Sequence, residues 1–124
     1  MTSFHPTLVS KKFNETINFY EDYFGFRIAL EEDRLAILQL KDDPKVCLSV
    51  YDIKYASEGI KPVSGLVLNV PCKDVQAVYE QLYMEGLEMH KELGHDFRGN
   101  HHFIVRDPNG VLINVTEPMR LETV

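Results

Sequence analysis

One order of parts occurs twice in this chain, and that repetition constrains the fold more tightly than any single motif. In the first half, "NETINFYEDYFGF" sets Phe13, Ile17, Tyr20 and Phe24 at i, i+4, i+7 and i+11, a single stripe of an amphipathic helix. Asn14 is suited to cap its start and Gly25 to stop it. In the second half, "KDVQAVYEQLYMEGL" repeats the design, with Asp74 as cap, Val75, Val78 and Leu82 as the stripe and Gly86 as the stop. A short β-prone run precedes each helix, "PTLVS" and then "SGLVLNV", and three more runs follow it. These are "FRIALE", "RLAILQL" and "VCLSVYD" in the first half and "LEMHKEL", "HHFIVR" and "VLINVTE" in the second. The last two are joined through "DPNG", whose proline and glycine favour a turn.

Each half therefore reads β-α-β-β-β. The repeat keeps its spacing: Asn14 to Asp74 is 60 positions, Gly25 to Gly86 is 61, and the Asp-Pro turns at Asp43 and Asp107 are 64 apart, a drift of the size loop insertions produce. The segment "IKYASEGIKPVSG", rich in Gly, Pro and Ser, falls where the halves join. The expectation is an α+β fold in one domain, 1–124, made of two pseudo-symmetric βαβββ modules at roughly 1–56 and 62–120. A β-rich half with one helix covers a single face of its sheet, so two such halves are expected to form a curved mixed sheet around a cleft.

With 44% hydrophobic and 26% charged residues among 124, the chain has the size and balance to bury one core. A formal charge of -6 disfavours nucleic acid as a partner, since phosphate binding needs a basic face, and suits a cationic ligand. No apolar run approaches the ~20 residues that span a bilayer, and "MTSFHPTLVSKK" lacks the apolar centre of a signal peptide. No membrane association and a cytoplasmic location are the resulting expectations. Cys47 and Cys72 have no CxxC spacing and read as small buried groups.

Taken together, the duplication, "INFYEDYFGF" and "FIVRDPNGVLINVTEP" resemble the glyoxalase, bleomycin-resistance and extradiol dioxygenase superfamily, the vicinal oxygen chelate fold. The resemblance covers nearly the whole chain and is specific for a fold, not for an activity. Enzymes of that superfamily use up to four metal-ligand positions, one on the first and one on the last strand of each half. What the resemblance implies here is a metal set of His5, Asp52 and Glu117, with Gly65, which has no side chain, at the remaining position. His5 and Gly65 each stand nine residues before the helix cap of their half, while Asp52 and Glu117 stand nine and ten past the Asp-Pro turns. Three protein ligands suffice for a catalytic divalent ion (Zn, Ni, Mn, Fe or Co) that keeps positions open for substrate. A homodimer is implied as well.

Read from the residues, Ile113, Val115 and Glu117 share one strand face. If that face lines the cleft, Glu117 is partly desolvated and fit to act as a catalytic base or to hold a cationic group; otherwise it is a solvated acid closing a strand. His5 has the plain alternative of a ring bonded to nearby backbone. His101 and His102 are adjacent on one strand, which sends their rings to opposite faces. Loops at a cleft rim carry specificity, so in "GHDFRGNHHF" the residues chosen for ligand contact are Phe97, Arg98 and His102, against a plain solvated connection. Arg106, Asp107 and Asn109 read as turn-shaping residues.

The function expected is small-molecule binding in the cleft without an intact catalytic metal site, because Gly65 leaves one ligand position empty. Two alternatives stand beside it. One is a divalent metal-dependent lyase, isomerase or dioxygenase of the glyoxalase type, with Glu117 as ligand or base. The other is a non-catalytic interaction domain.

Overall fold

A computed structural model describes residues 4–119. The chain divides into two compact units between Ser64 and Gly65. The first holds β1 (Thr7–Ser10), α1 (Phe13–Phe24), β2 (Phe26–Glu31), β3 (Leu35–Leu40), β4 (Asp43–Asp52) and a 3-10 turn at Ile53–Tyr55. The second holds β5 (Val67–Pro71), α2 (Val75–Met84), β6 (Met89–His95), β7 (His101–Arg106) and β8 (Leu112–Glu117). Both follow the expected β-α-β-β-β order, and each builds a four-stranded mixed sheet of its own, ordered β1-β4-β3-β2 and β5-β8-β7-β6. In each sheet the first strand runs parallel to the last, with Leu8 opposite Val50 and Asn69 opposite Asn114. The remaining pairs are antiparallel.

Local chemistry sets the helix ends. Asp74 caps α2 as expected, its Oδ1 accepting from Ala77 N–H at 3.1 Å. Gly25 ends α1 in the left-handed conformation, φ 71°, which only glycine adopts without strain, and donates its N–H to Tyr20 O. The start of α1 differs from expectation: Lys12 is the cap and Asn14 lies inside the helix. Hydroxyls do the capping work there, since Ser10 Oγ accepts from Lys12 N–H at 2.8 Å and Thr16 Oγ1 donates to Lys12 O at 2.7 Å. The first unit also reaches further than the composition of the join suggested. Val63 N–H donates to Val9 O at 2.8 Å, tying that segment to β1.

In the second unit, α2 lays Val75 and Leu82 on one face of the sheet, where Phe103, Val105, Ile113 and Val115 meet them; none of the six is more than 2% exposed. Tyr79 stands edge-on to Phe103 with ring centroids 5.3 Å apart, which fixes that face as the helix side. No helix among the described residues is long and apolar enough to cross a membrane.

Candidate functional site

Strand alternation sorts the second unit's polar residues onto two faces. His101 and Glu117 are cross-strand partners that fall on the helix side with Phe103 and Val115. His102, Ile104, Arg106, Leu112, Asn114 and Thr116 fall on the face turned away from α2, together with Asn69, the partner of Asn114.

Glu117 therefore lies on the side of the sheet that α2 covers. It caps α2: its Oε1 accepts from Val75 N–H at 3.2 Å, where a helix start offers unpaired donors and a positive dipole end. Beside it a cavity of about 770 Å³ is lined by Cys72, Lys73, His95, His101, Glu117 and Met119 among others. The His95 and His101 rings stack there with centroids 4.9 Å apart. Burial pushes the Cys72 thiol up from its ordinary pKa, and the Glu117 carboxylate pushes it further, against a smaller opposing hydrogen bond from the Asp74 backbone. Glu117→Gln keeps an acceptor for Val75 N–H and removes the charge. It is expected to speed alkylation of Cys72 by iodoacetamide severalfold near pH 8, because more of the thiol ionises. An unchanged rate would show that the carboxylate does not act on the thiol.

The other residues of the implied metal set have partners of their own. His5 is exposed and its Nε2 bonds Ser49 Oγ at 3.0 Å. Asp52 ends β4 and caps the 3-10 turn through Lys54 N–H at 3.1 Å, with Lys54 Nζ 3.6 Å from its other oxygen. Gly65 has φ 66°, and a Cβ there would meet nothing within 4 Å. The position is thus glycine for its backbone, not for lack of room. Among the described residues no group of three or more His, Cys, Asp or Glu side chains is arranged to hold a metal ion.

The three residues chosen for ligand contact are separated by exposure. Phe97 and Arg98 occupy the turn between β6 and β7, where Phe97 is 96% exposed. Asp96 builds that turn, its Oδ1 accepting from Arg98 N–H at 2.8 Å and Asn100 N–H at 2.9 Å. Desolvation pushes its carboxyl up, but the hydrogen bonds from Asn100 and Arg98 and the nearby His102 outweigh it and hold the group below its ordinary range. The strand expected at "LEMHKEL" reaches further than that run: β6 covers Met89–His95, taking Gly94 and His95 from the expected loop, and pairs with β7 through two register shifts.

His102, in contrast, is 4% exposed and ends a polar chain. Asn114 Nδ2 donates to Asn69 Oδ1 at 3.1 Å, which leaves Asn114 Oδ1 to accept from His102 Nδ1–H at 2.7 Å. With the proton on Nδ1, the ring's Nε2 keeps a bare lone pair. Neither that nitrogen nor Thr116 Oγ1, on the cross-strand partner of His102, has a hydrogen-bond partner among the described residues, and both atoms are buried. Sequence reasoning passed over Asn69, Asn114 and Thr116. The signal was a lone asparagine inside each of two apolar runs, "LVLNV" and "VLINV".

The profile of the Glyoxalase/Bleomycin resistance protein/Dioxygenase superfamily matches residues 2–115. The chain belongs to that superfamily. A bleomycin-binding protein solved in complex with bleomycin is 23% identical to this superfamily member, covering 96% of this chain and 100% of its own, with a TM-score of 0.72. A bleomycin resistance determinant encoded on the transposon Tn5 is 22% identical over 97% of this chain and 100% of its own, TM-score 0.72. A lactoylglutathione lyase from Agrobacterium tumefaciens is 17% identical over 94% of each chain, TM-score 0.73. No curated protein matches the sequence. At these identities the structural likenesses show the glyoxalase-type fold, which the binding protein and the lyase share with this superfamily member.

Proposed function

We propose that this superfamily member binds a small organic molecule on the face of the second unit's sheet turned away from α2, and recognises it by hydrogen bonds rather than through a metal. The observation that carries this reading is the pair of buried atoms without partners, His102 Nε2 and Thr116 Oγ1, at the end of a bonded polar chain. Leaving such a group bare costs about 1–3 kcal/mol, a cost that a bound ligand offsets by supplying the missing partner. The bare nitrogen accepts and the threonine hydroxyl donates or accepts, so a ligand hydroxyl or amide matches both. The bleomycin-binding protein and the bleomycin resistance determinant of like fold support a small-molecule ligand and make bleomycin the first probe. A homodimer is part of the same proposal, resting on the superfamily resemblance and read by light scattering.

Bleomycin is expected to move the Nε2 nitrogen signal of His102 in NMR spectra, with and without a chelator. His102→Phe keeps the ring's bulk and removes both nitrogens; it should weaken binding at least tenfold, about 1.4 kcal/mol. Equal binding by His102→Phe, or an Nε2 signal indifferent to bleomycin and to a library of hydroxyl- and amide-bearing fragments, would sink the reading.

A further inference from the structure

The same face of the second sheet carries a second recognition group at its other end. Arg106 closes β7, with Leu112 opposite it on β8 and Val67 opposite Leu112 on β5. These three line a cavity of about 470 Å³ together with Leu66, His90 and the backbone of Gly65 and Gly110. A Cβ added at either glycine would meet nothing within 4 Å, so the space in front of them is open.

Arg106 is held there without being neutralised. Its Nη2 donates to His90 Nδ1 at 2.7 Å, a contact that fixes the guanidinium through an uncharged acceptor on the neighbouring strand. The chain has 19 acidic residues against 13 basic ones, yet among the described residues the ion pair found is Lys54 with Asp52, and no acid lines this cavity. A guanidinium with most of its donor fork unused, facing walls of Leu66, Val67 and Leu112, matches a planar anion on an apolar body.

We propose that Arg106, oriented by His90, binds the carboxylate of an apolar organic acid in this cavity. The proposal uses the same sheet face as the reading above and extends it. Arg106 lies four residues beyond His102, about 13 Å along the strand, so the two positions can hold opposite ends of one molecule.

The test titrates the full-length isotope-labelled chain with 4-phenylbutyrate and with 4-phenylbutyramide, which keeps the shape and loses the charge. The acid is expected to shift the Arg106 Nε–H and the backbone amides of Leu66, Val67 and Leu112, binding at least tenfold more tightly than the amide and weakening with added salt. Arg106→Gln should bring the acid to the level of the amide, and Arg106→Lys, which keeps charge but not the fork, should fall between. Equal binding of acid and amide by the unsubstituted chain overturns the proposal without recourse to any variant. So does full acid binding by Arg106→Gln. Inorganic phosphate should bind more weakly than phenylbutyrate; equal binding would remove the apolar walls from the site and overturn the assigned class. The Arg106 Nε–H and the His102 Nε2 signals are followed as separate readouts in these titrations and in the bleomycin titration, so failure at Arg106 and failure at His102 are told apart.

Discussion

Replacing Asp107 by alanine is expected to lower stability by about 3 kcal/mol, since two backbone bonds to a buried carboxylate are lost and their donors are left bare. Asp107 is 4% exposed. Its Oδ1 accepts from Asn109 N–H at 2.7 Å and Val111 N–H at 2.9 Å, while its own N–H donates to Val111 O and its O accepts from Gly110 N–H. One side chain thus fixes the turn that sets β8 against β7, and with it the row carrying His102, Arg106 and Asn114. The chain has no tryptophan, so urea denaturation should be followed by far-ultraviolet circular dichroism. A loss under about 1 kcal/mol would mean that water replaces the carboxylate and that the turn is held from elsewhere.

Phe103→Ala should cost about 4 kcal/mol, from lost burial and from the cavity left beneath α2. Phe103 has no exposed surface, and its ring is one of the contacts by which Tyr79 on α2 meets the sheet, the other being the bond from the Tyr79 hydroxyl to Glu92 on β6. Phe103→Leu, which keeps most of the volume, should cost far less. Amide exchange supplies an independent reading: α2 amides should lose protection in the alanine variant before those of β8 do. Similar losses for alanine and leucine would show that ring contact rather than volume holds the helix.

The order of elements, the Asp74 cap, the Gly25 stop and the Asp107 turn were legible in the sequence because each depends on neighbours a few residues away. The facing of Glu117 was not. Alternation placed it with Ile113 and Val115, but which side of the sheet α2 covers depends on where the Val75 and Leu82 stripe lands, a non-local fact. The cap of α1 escaped for a related reason: asparagine is the commoner signal, whereas Ser10 and Thr16 act across the start of the helix. The polar chain from Asn69 through Asn114 to His102 joins three strands separated by up to 45 positions. Spacing rules anchored on helix caps and Asp-Pro turns could not assemble it.

The parallel pairing of first and last strands has a consequence for synthesis. Leu8 finds its place only when Val50 arrives, and Asn69 only when Asn114 does. Neither sheet can close on a partial chain, so in each unit the opening strand must wait, unpaired on the ribosome, until nearly all of that unit has been made. Since β4 ends at Asp52 and β5 begins at Val67, the first sheet can close before the second has its first strand. Translation then lets the two slow, long-range closures, Leu8 with Val50 and Asn69 with Asn114, take place one after the other instead of in competition.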